Sequence, residues 1–307
     1  MFMEYPKNQM EFDRTFASEE DCVQYLIEVK WPLGYRCSKC SHNEYWSLSR
    51  KRLKCKKCLA ITTITSNTFF DQSNKPLTLW FRAIWWMIAQ KNGVSASGLQ
   101  AILGIGSYKT AWIWLHKLRM LMVFPNRDKL SGKVEIDETF VGGVAEGKRG
   151  RGAENKSLVM IAVEVLPKGT GRVRLELIPS AEGKHLLKFI SENVEKGTSV
   201  ITDGWTGYAQ LGDNGYEHIK QKQVIASNNE EMLPNVHRIA ALLKRWLLGT
   251  HQNYTSQDRL QKYLDEFSFR YNRRKSNSRG LLFHRIIEQA MIREPILSRD
   301  VLENKIQ

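Results

Sequence analysis

Four cysteines, Cys37, Cys40, Cys55 and Cys58, form the pattern C-x2-C-x14-C-x2-C. Two such knuckles can present four thiolates to one Zn2+ in a tetrahedron. The fourteen-residue gap suits a β-hairpin, and Y-W-S-L-S-R-K-R-L-K has strand character. The reading is a structural zinc ribbon, closed on all four sides and so without catalysis; free or redox-active cysteines are the alternative. Cys22 is left over. Residues 36–58 also carry eight Lys/Arg against one acid, Glu44, which fits phosphate contact or, more simply, a soluble surface.

A second chemistry lies in carboxylates on strand ends. Asp137 sits in V-E-I-D-E-T-F among apolar residues, and Asp203 ends S-V-I-T-D-G just before Gly204. A buried carboxylate is costly unless paired or metal-bound. Each Asp alone reads equally well as a cap or a salt-bridge partner. Together, on two strands of a basic chain, they point to Mg2+, which takes oxygen ligands. Such a site can activate water and stabilise a leaving oxygen in phosphodiester cleavage.

The elements that must position these residues follow from periodicity and turn chemistry. Residues 1–35 read as a lead-in with one helix, capped by Ser18 and carrying Val23, Leu26 and Ile27 at helical spacing. Residues 36–70 form the zinc ribbon. Residues 71–130 are helical, with the aromatic run L-W-F-R-A-I-W-W-M-I-A. Inside them, G-V-S-A-S-G-L-Q-A-I-L-G-I-G-S-Y-K-T has a helix-turn-helix rhythm: Ser95 caps one helix, Gly104 and Gly106 make the turn, and Lys109 stands at the start of the second. A plain helical hairpin is the competing reading. Residues 131–290 alternate strands and helices, and 291–307 form a tail. Residues 147–156 are a basic insertion.

The catalytic segment runs strand with Asp137, strand, strand, helix, strand with Asp203, short elements and a long helix over 234–250. This is the element order of an RNase H-like α/β fold, a mixed sheet with flanking helices, in which a third ligand comes from the late helix. Glu230 and Glu231 precede Pro234, ahead of that helix.

The excess of 46 Lys/Arg over 32 Asp/Glu gives a net charge of +14 and favours polyanionic partners. Between residues 237 and 285 there are eleven basic residues against three acids. R-Y-N-R-R there suits phosphate contact and base stacking through Arg270, Arg273 and Arg274; a solvated helix face is the bland alternative. No apolar run approaches the roughly 18 residues of a membrane span, and the N-terminus lacks a secretory apolar core, so the chain reads as cytoplasmic.

With E-I-D-E-T-F-V-G-G, T-D-G-W-T-G-Y, L-L-K-R-W-L-L-G-T-H and Y-L-D-E-F-S-F-R-Y-N-R-R in place behind a ribbon of C-x2-C pairs, the sequence resembles the IS1595 family of insertion-sequence transposases. Their ISXO2-like domain is of the DDE type. The resemblance covers residues 20–290 and implies a prokaryotic, nucleoid-associated enzyme. It implies cleavage of transposon ends and joining of the 3′-OH to target DNA with two Mg2+ or Mn2+ ions, and at least a dimer on terminal inverted repeats. It also implies the third ligand. Family members with a Glu carry it seven residues before the lysine of L-L-K-R, and His or Asn is tolerated there. Seven residues before Lys244 is His237. Two helical turns put both on one face, so His237 can hold metal while Lys244 and Arg245 meet phosphate. Glu230 and Glu231 remain the alternatives, and Glu138, on the opposite strand face from Asp137, is a weaker one. A decayed, catalytically inactive transposase domain serving as a DNA-binding regulator is the second functional reading.

Overall fold

The computed structural model describes residues 5–124, 127–142, 156–221, 232–252 and 256–304. The chain divides into two units: residues 1–122 with 276–307, and residues 123–275.

The first unit opens with α1 (Gln9–Thr15) and α2 (Glu19–Lys30). The lead-in therefore holds two helices where the sequence reading has one. The extra helix has its own signal: Asn8 accepts from the Glu11 N–H at 3.0 Å, and Phe12 is fully buried. In α2, Ser18 and Asp21 form a reciprocal capping box. A small antiparallel sheet follows, β1 (Tyr45–Leu48), β2 (Arg52–Cys55) and β3 (Ile61–Thr63), in the order β1-β2-β3. The aromatic run becomes α3 (Leu77–Ala89), which buries Trp80, Phe81 and Trp85. Then come α4 (Ala96–Leu103) and α5 (Tyr108–Met120). Ser95 caps α4 through the Gly98 N–H, and Gly104 ends it at φ +61°, a left-handed conformation that favours glycine. Trp80 of α3 stacks on Trp114 of α5 with ring centroids 3.8 Å apart.

The second unit is a five-stranded mixed sheet built from β4 (Lys133–Val141), β5 (Ser157–Val165), β6 (Thr170–Ile178), β7 (Ser199–Thr202) and β8 (Glu217–Lys220), in the order β6-β5-β4-β7-β8. The β4–β5 and β5–β6 pairs are antiparallel; β4–β7 and β7–β8 are parallel. The crossover from β6 to β7 carries α6 (Gly183–Asn193). Alternation along β4 divides its side chains. Val134 and Ile136 join Leu186, Phe189 and Tyr208 in one core. Val141 joins the other, made with α7 (Pro234–His251) and α8 (Gln257–Asn272). β6 is an edge strand, and α8 covers that edge. Asn272 accepts from the Val173 N–H at 2.7 Å and donates to its carbonyl, while Gln261 accepts from the Leu177 N–H at 2.8 Å and donates to the Leu175 carbonyl. Two amide side chains thus stand in for a missing strand.

The chain then returns to the first unit with α9 (Arg279–Ile292) and α10 (Ser298–Leu302). Phe283 of α9 is fully buried, with ring centroids 5.3–6.1 Å from Phe12, Phe16, Tyr25, Phe81 and Trp85. Gly280 makes this possible, since a Cβ there would collide with the Pro6 carbonyl. The catalytic segment read from sequence extends to residue 290, whereas contacts divide the chain at 275. Among the described residues no helix is long and apolar enough to cross a membrane.

Phe283→Ala removes the ring shared by five aromatic neighbours and is expected to cost roughly 3–5 kcal/mol. Hydrogen exchange should show the loss in α1–α3, with β4–β6 unchanged.

Candidate metal centre and active site

The four Sγ atoms of Cys37, Cys40, Cys55 and Cys58 lie within 4.8 Å of one another. Cys37 and Cys58 are 3.6 Å apart, as are Cys40 and Cys55. A tetrahedron with Zn–S near 2.3 Å has edges of about 3.8 Å, so the donor set fits zinc. The two knuckles are the same turn built twice. In each, the residue after the second cysteine is left-handed, Ser41 at φ 59° and Leu59 at φ 62°. Its N–H bonds the first cysteine's carbonyl, Ser41 to Cys37 and Leu59 to Cys55. The first cysteine's N–H bonds a carbonyl two residues past the second, Cys37 to His42 and Cys55 to Ala60. The backbone N–H of Lys39 also faces the Cys37 sulfur and draws its thiol down to about 6, in the direction of metal-ready thiolate.

In the second unit, Asp137 and Asp203 stand on neighbouring parallel strands. The register Lys133↔Ser199 to Glu135↔Ile201, continued by two residues, puts Asp203 level with Asp137. Asp203 follows β7 and accepts from the Trp205 N–H at 2.9 Å. Gly204, at φ +82°, turns the chain away just after it. His237 reaches Asp137 from α7, with Nε2 3.4 Å from Asp137 Oδ2. The ligand atoms of the three residues do not all lie within 4.8 Å, a spacing that among the described residues the cysteine cluster alone meets. Asp137, Glu138 and Asp203 border one cleft of about 860 Å³, with Lys156, Ser180 and Asp258 on its other walls.

The electrostatics are those of a site short of positive charge. Burial, and then the nearby charge of Asp203, raise the Asp137 carboxyl, against hydrogen bonding to Glu138 and the opposing pull of His237. Glu138 is driven up to about 7, first by burial and then by Asp137. Its Oε1 is buried without a hydrogen-bond partner. It belongs to the opposite strand face, beside Tyr208, yet still borders the cleft. Three carboxylates and an imidazole are donor types that suit a divalent cation, although among the described residues no three of their ligand atoms lie within 4.8 Å of one another. Glu230 and Glu231 lie outside the described residues, as does the basic insertion apart from Lys156.

Among the basic residues named from sequence, Lys109, Lys244 and Arg245 are exposed. Partial desolvation, and then Lys156, hold the Lys244 ammonium below its ordinary value. The three arginines of R-Y-N-R-R also make contacts within their own unit, Arg274 from an exposed position. Arg270 pairs with fully buried Glu266 at 2.7 Å. Arg273 lies over the Phe269 and Phe124 rings, and Arg274 stacks on Tyr271 while donating to the Gly171 and Thr170 carbonyls.

Sequence reasoning missed Glu135. Its carboxylate is 5% exposed and accepts three hydrogen bonds at the start of α7: from the Asn235 N–H (2.9 Å), the Val236 N–H (3.0 Å) and Asn235 Nδ2 (2.7 Å). The signal was an acid inside an apolar strand two residues before Asp137, opposite a helix with no capping side chain of its own.

Residues 129–272 match the ISXO2-like transposase domain, and residues 17–60 match the transposase zinc-ribbon domain. The chain is also similar to an uncharacterized protein in transposable element ISH50 of Halobacterium salinarum. The two are 28% identical over 281 residues, which span 84% of this chain and 92% of that protein.

Elemental analysis of the purified protein should give about one zinc per chain. Cys58→Ser should lose it, and a strong chelator should melt β1–β3 while leaving the five-stranded sheet folded.

Proposed function

Because this chain belongs to the IS1595 family of insertion-sequence transposases, we propose that its second unit cuts transposon ends and joins them to target DNA at a site made by Asp137, Asp203 and His237. The observation that carries the proposal is the approach of His237 Nε2 to Asp137 Oδ2 at 3.4 Å, beside a cleft that Asp203 also borders. The strand order β6-β5-β4-β7-β8, with three antiparallel strands followed by parallel β7 and β8, supports an RNase H-like reading of this unit.

Mg2+ or Mn2+ held by these residues would supply Lewis-acid stabilisation to the attacking and leaving oxygens. The chain's own groups set the stage. Asp137 offers oxygen donors from the middle of β4, and Asp203 from the position just after β7. His237 offers a neutral nitrogen, which removes one negative charge and tilts the site toward Mn2+. Water attacks the phosphodiester at the transposon end, the P–O bond breaks, and a 3′-OH is freed. That hydroxyl attacks a target phosphodiester, forming one P–O bond as another breaks. Lys244 shares the His237 face of α7 and, with Arg245, would hold phosphate.

The zinc ribbon and the α4–α5 pair, read as a helix-turn-helix, would bind the terminal inverted repeats. Exposed Tyr108 and Lys109 at the start of α5 support that reading. Two ends must be processed together, so two copies act in the DNA complex.

Strand transfer of a labelled end in Mn2+ tests the site. Asp137→Ala and Asp203→Ala should each lower the rate roughly 100-fold or more, the scale of several kcal/mol of lost charge stabilisation. His237→Ala should behave alike while Glu230→Ala and Glu231→Ala retain wild-type rates. Wild-type activity in Asp137→Ala would sink the assignment, and loss confined to a glutamate variant would move the third ligand there.

A further inference from the structure

The residue that brings His237 to Asp137 is on neither the metal side of α7 nor in the cleft. Helix α7 starts after Leu233, a buried residue held left-handed at φ +50°, and no side chain of its own helix caps it. Its first free N–H groups are taken by Glu135 on β4. One carboxylate oxygen accepts from the Asn235 and Val236 N–H groups, and the other accepts from Asn235 Nδ2. An anion here also meets the positive end of the helix dipole. Residue 237 directly follows the clamped pair, and residue 137 lies two positions beyond Glu135 on the same strand face. Clamp and metal pair are therefore consecutive contacts between the same strand and the same helix.

We infer that Glu135 is a positioning residue for strand transfer: its carboxylate docks the start of α7 on β4 and thereby holds His237 against Asp137. This inference rests on the proposed roles of Asp137 and His237. The donor pattern makes it specific. A carboxylate accepts on both oxygens, whereas an amide accepts on one, so Glu135→Gln leaves either the helix N–H groups or Asn235 Nδ2 facing another donor. Asn235→Asp reverses that second partner from donor to acceptor. The combination Glu135→Gln/Asn235→Asp restores all three contacts with the roles of the two side chains exchanged.

Four variants of the full chain test this: Glu135→Gln, Glu135→Gln/Asn235→Asp, His237→Ala and Glu135→Gln/His237→Ala. Three quantities are read: strand-transfer kcat, KM for DNA ends, and Mn2+ affinity of the DNA-free protein by electron paramagnetic resonance. Glu135→Gln should lower kcat and Mn2+ affinity about 10- to 100-fold with KM for DNA unchanged. The exchanged pair should recover most of both. Since Glu135 acts through His237, adding Glu135→Gln to His237→Ala should cost nothing further. Wild-type kcat and Mn2+ affinity in Glu135→Gln overturn the inference. So does a further loss on the His237→Ala background, or an exchanged pair that folds but does not recover. Should Glu135→Gln alone fail to fold, the exchanged pair decides: folded and active supports the clamp, folded and inactive overturns it. If Asp137→Ala keeps wild-type activity, the metal-site reading itself has failed. If Asp137→Ala is inactive and Glu135→Gln is not impaired, only the clamp has failed.

Discussion

A carboxylate withdrawn from water must be given donors or a cation, and β4 carries three acids in four residues. The second unit is arranged around how each is compensated. Glu135, deepest in the strand, receives three hydrogen bonds from the start of α7. Asp137, two residues on, has the His237 ring at 3.4 Å. Glu138, next along, keeps one buried oxygen without a partner, and burial with its neighbours lifts its carboxyl to about 7. Compensation thins along the strand, and the cleft opens where it is poorest. The place where protein donors run short is the place where a cation is the cheapest partner.

The first unit meets the same constraint with sulfur. Thiolates crowded within 4.8 Å repel unless a cation joins them. Backbone N–H groups favour the thiolate at Cys37, while, against the His42 N–H, burial and the neighbouring cysteines push the Cys40 thiol up. Two copies of one turn are enough, each depending on a single left-handed residue. The rest of this unit is held differently, by aromatic rings converging on Phe283 and by the stacked Trp80–Trp114 pair.

Local features were legible in the sequence because their causes are local. The cysteine spacing determined the zinc knuckles, and Ser18, Ser95, Gly104 and Pro234 marked helix ends that the structure keeps. The strands with Asp137 and Asp203, and the two between them, are where the element order puts them, as β4 to β7. What escaped was non-local or faint. β8 is E-H-I-K, an edge strand without an apolar run. The clamp by Glu135 joins residues one hundred positions apart, and no pattern within β4 announces its partner. Composition shows the charge of Arg270, Arg273 and Arg274 but hides their partners within the unit, Glu266, the Phe124 ring and the Thr170 carbonyl.

The chain leaves the first unit at residue 122 and rejoins it at 276. On the ribosome, α1, α2 and α3 are therefore made well before Phe283, the ring on which their own aromatic side chains converge. At ~5–20 residues per second, synthesis of the intervening segment takes roughly ten to thirty seconds. Throughout that interval Phe12, Phe16, Phe81 and Trp85 lack their common neighbour, while the five-stranded sheet is being completed. The order of manufacture thus sets the order of folding: the sheet that carries the carboxylates can finish first, and the unit with the zinc ribbon can close its aromatic core only afterwards.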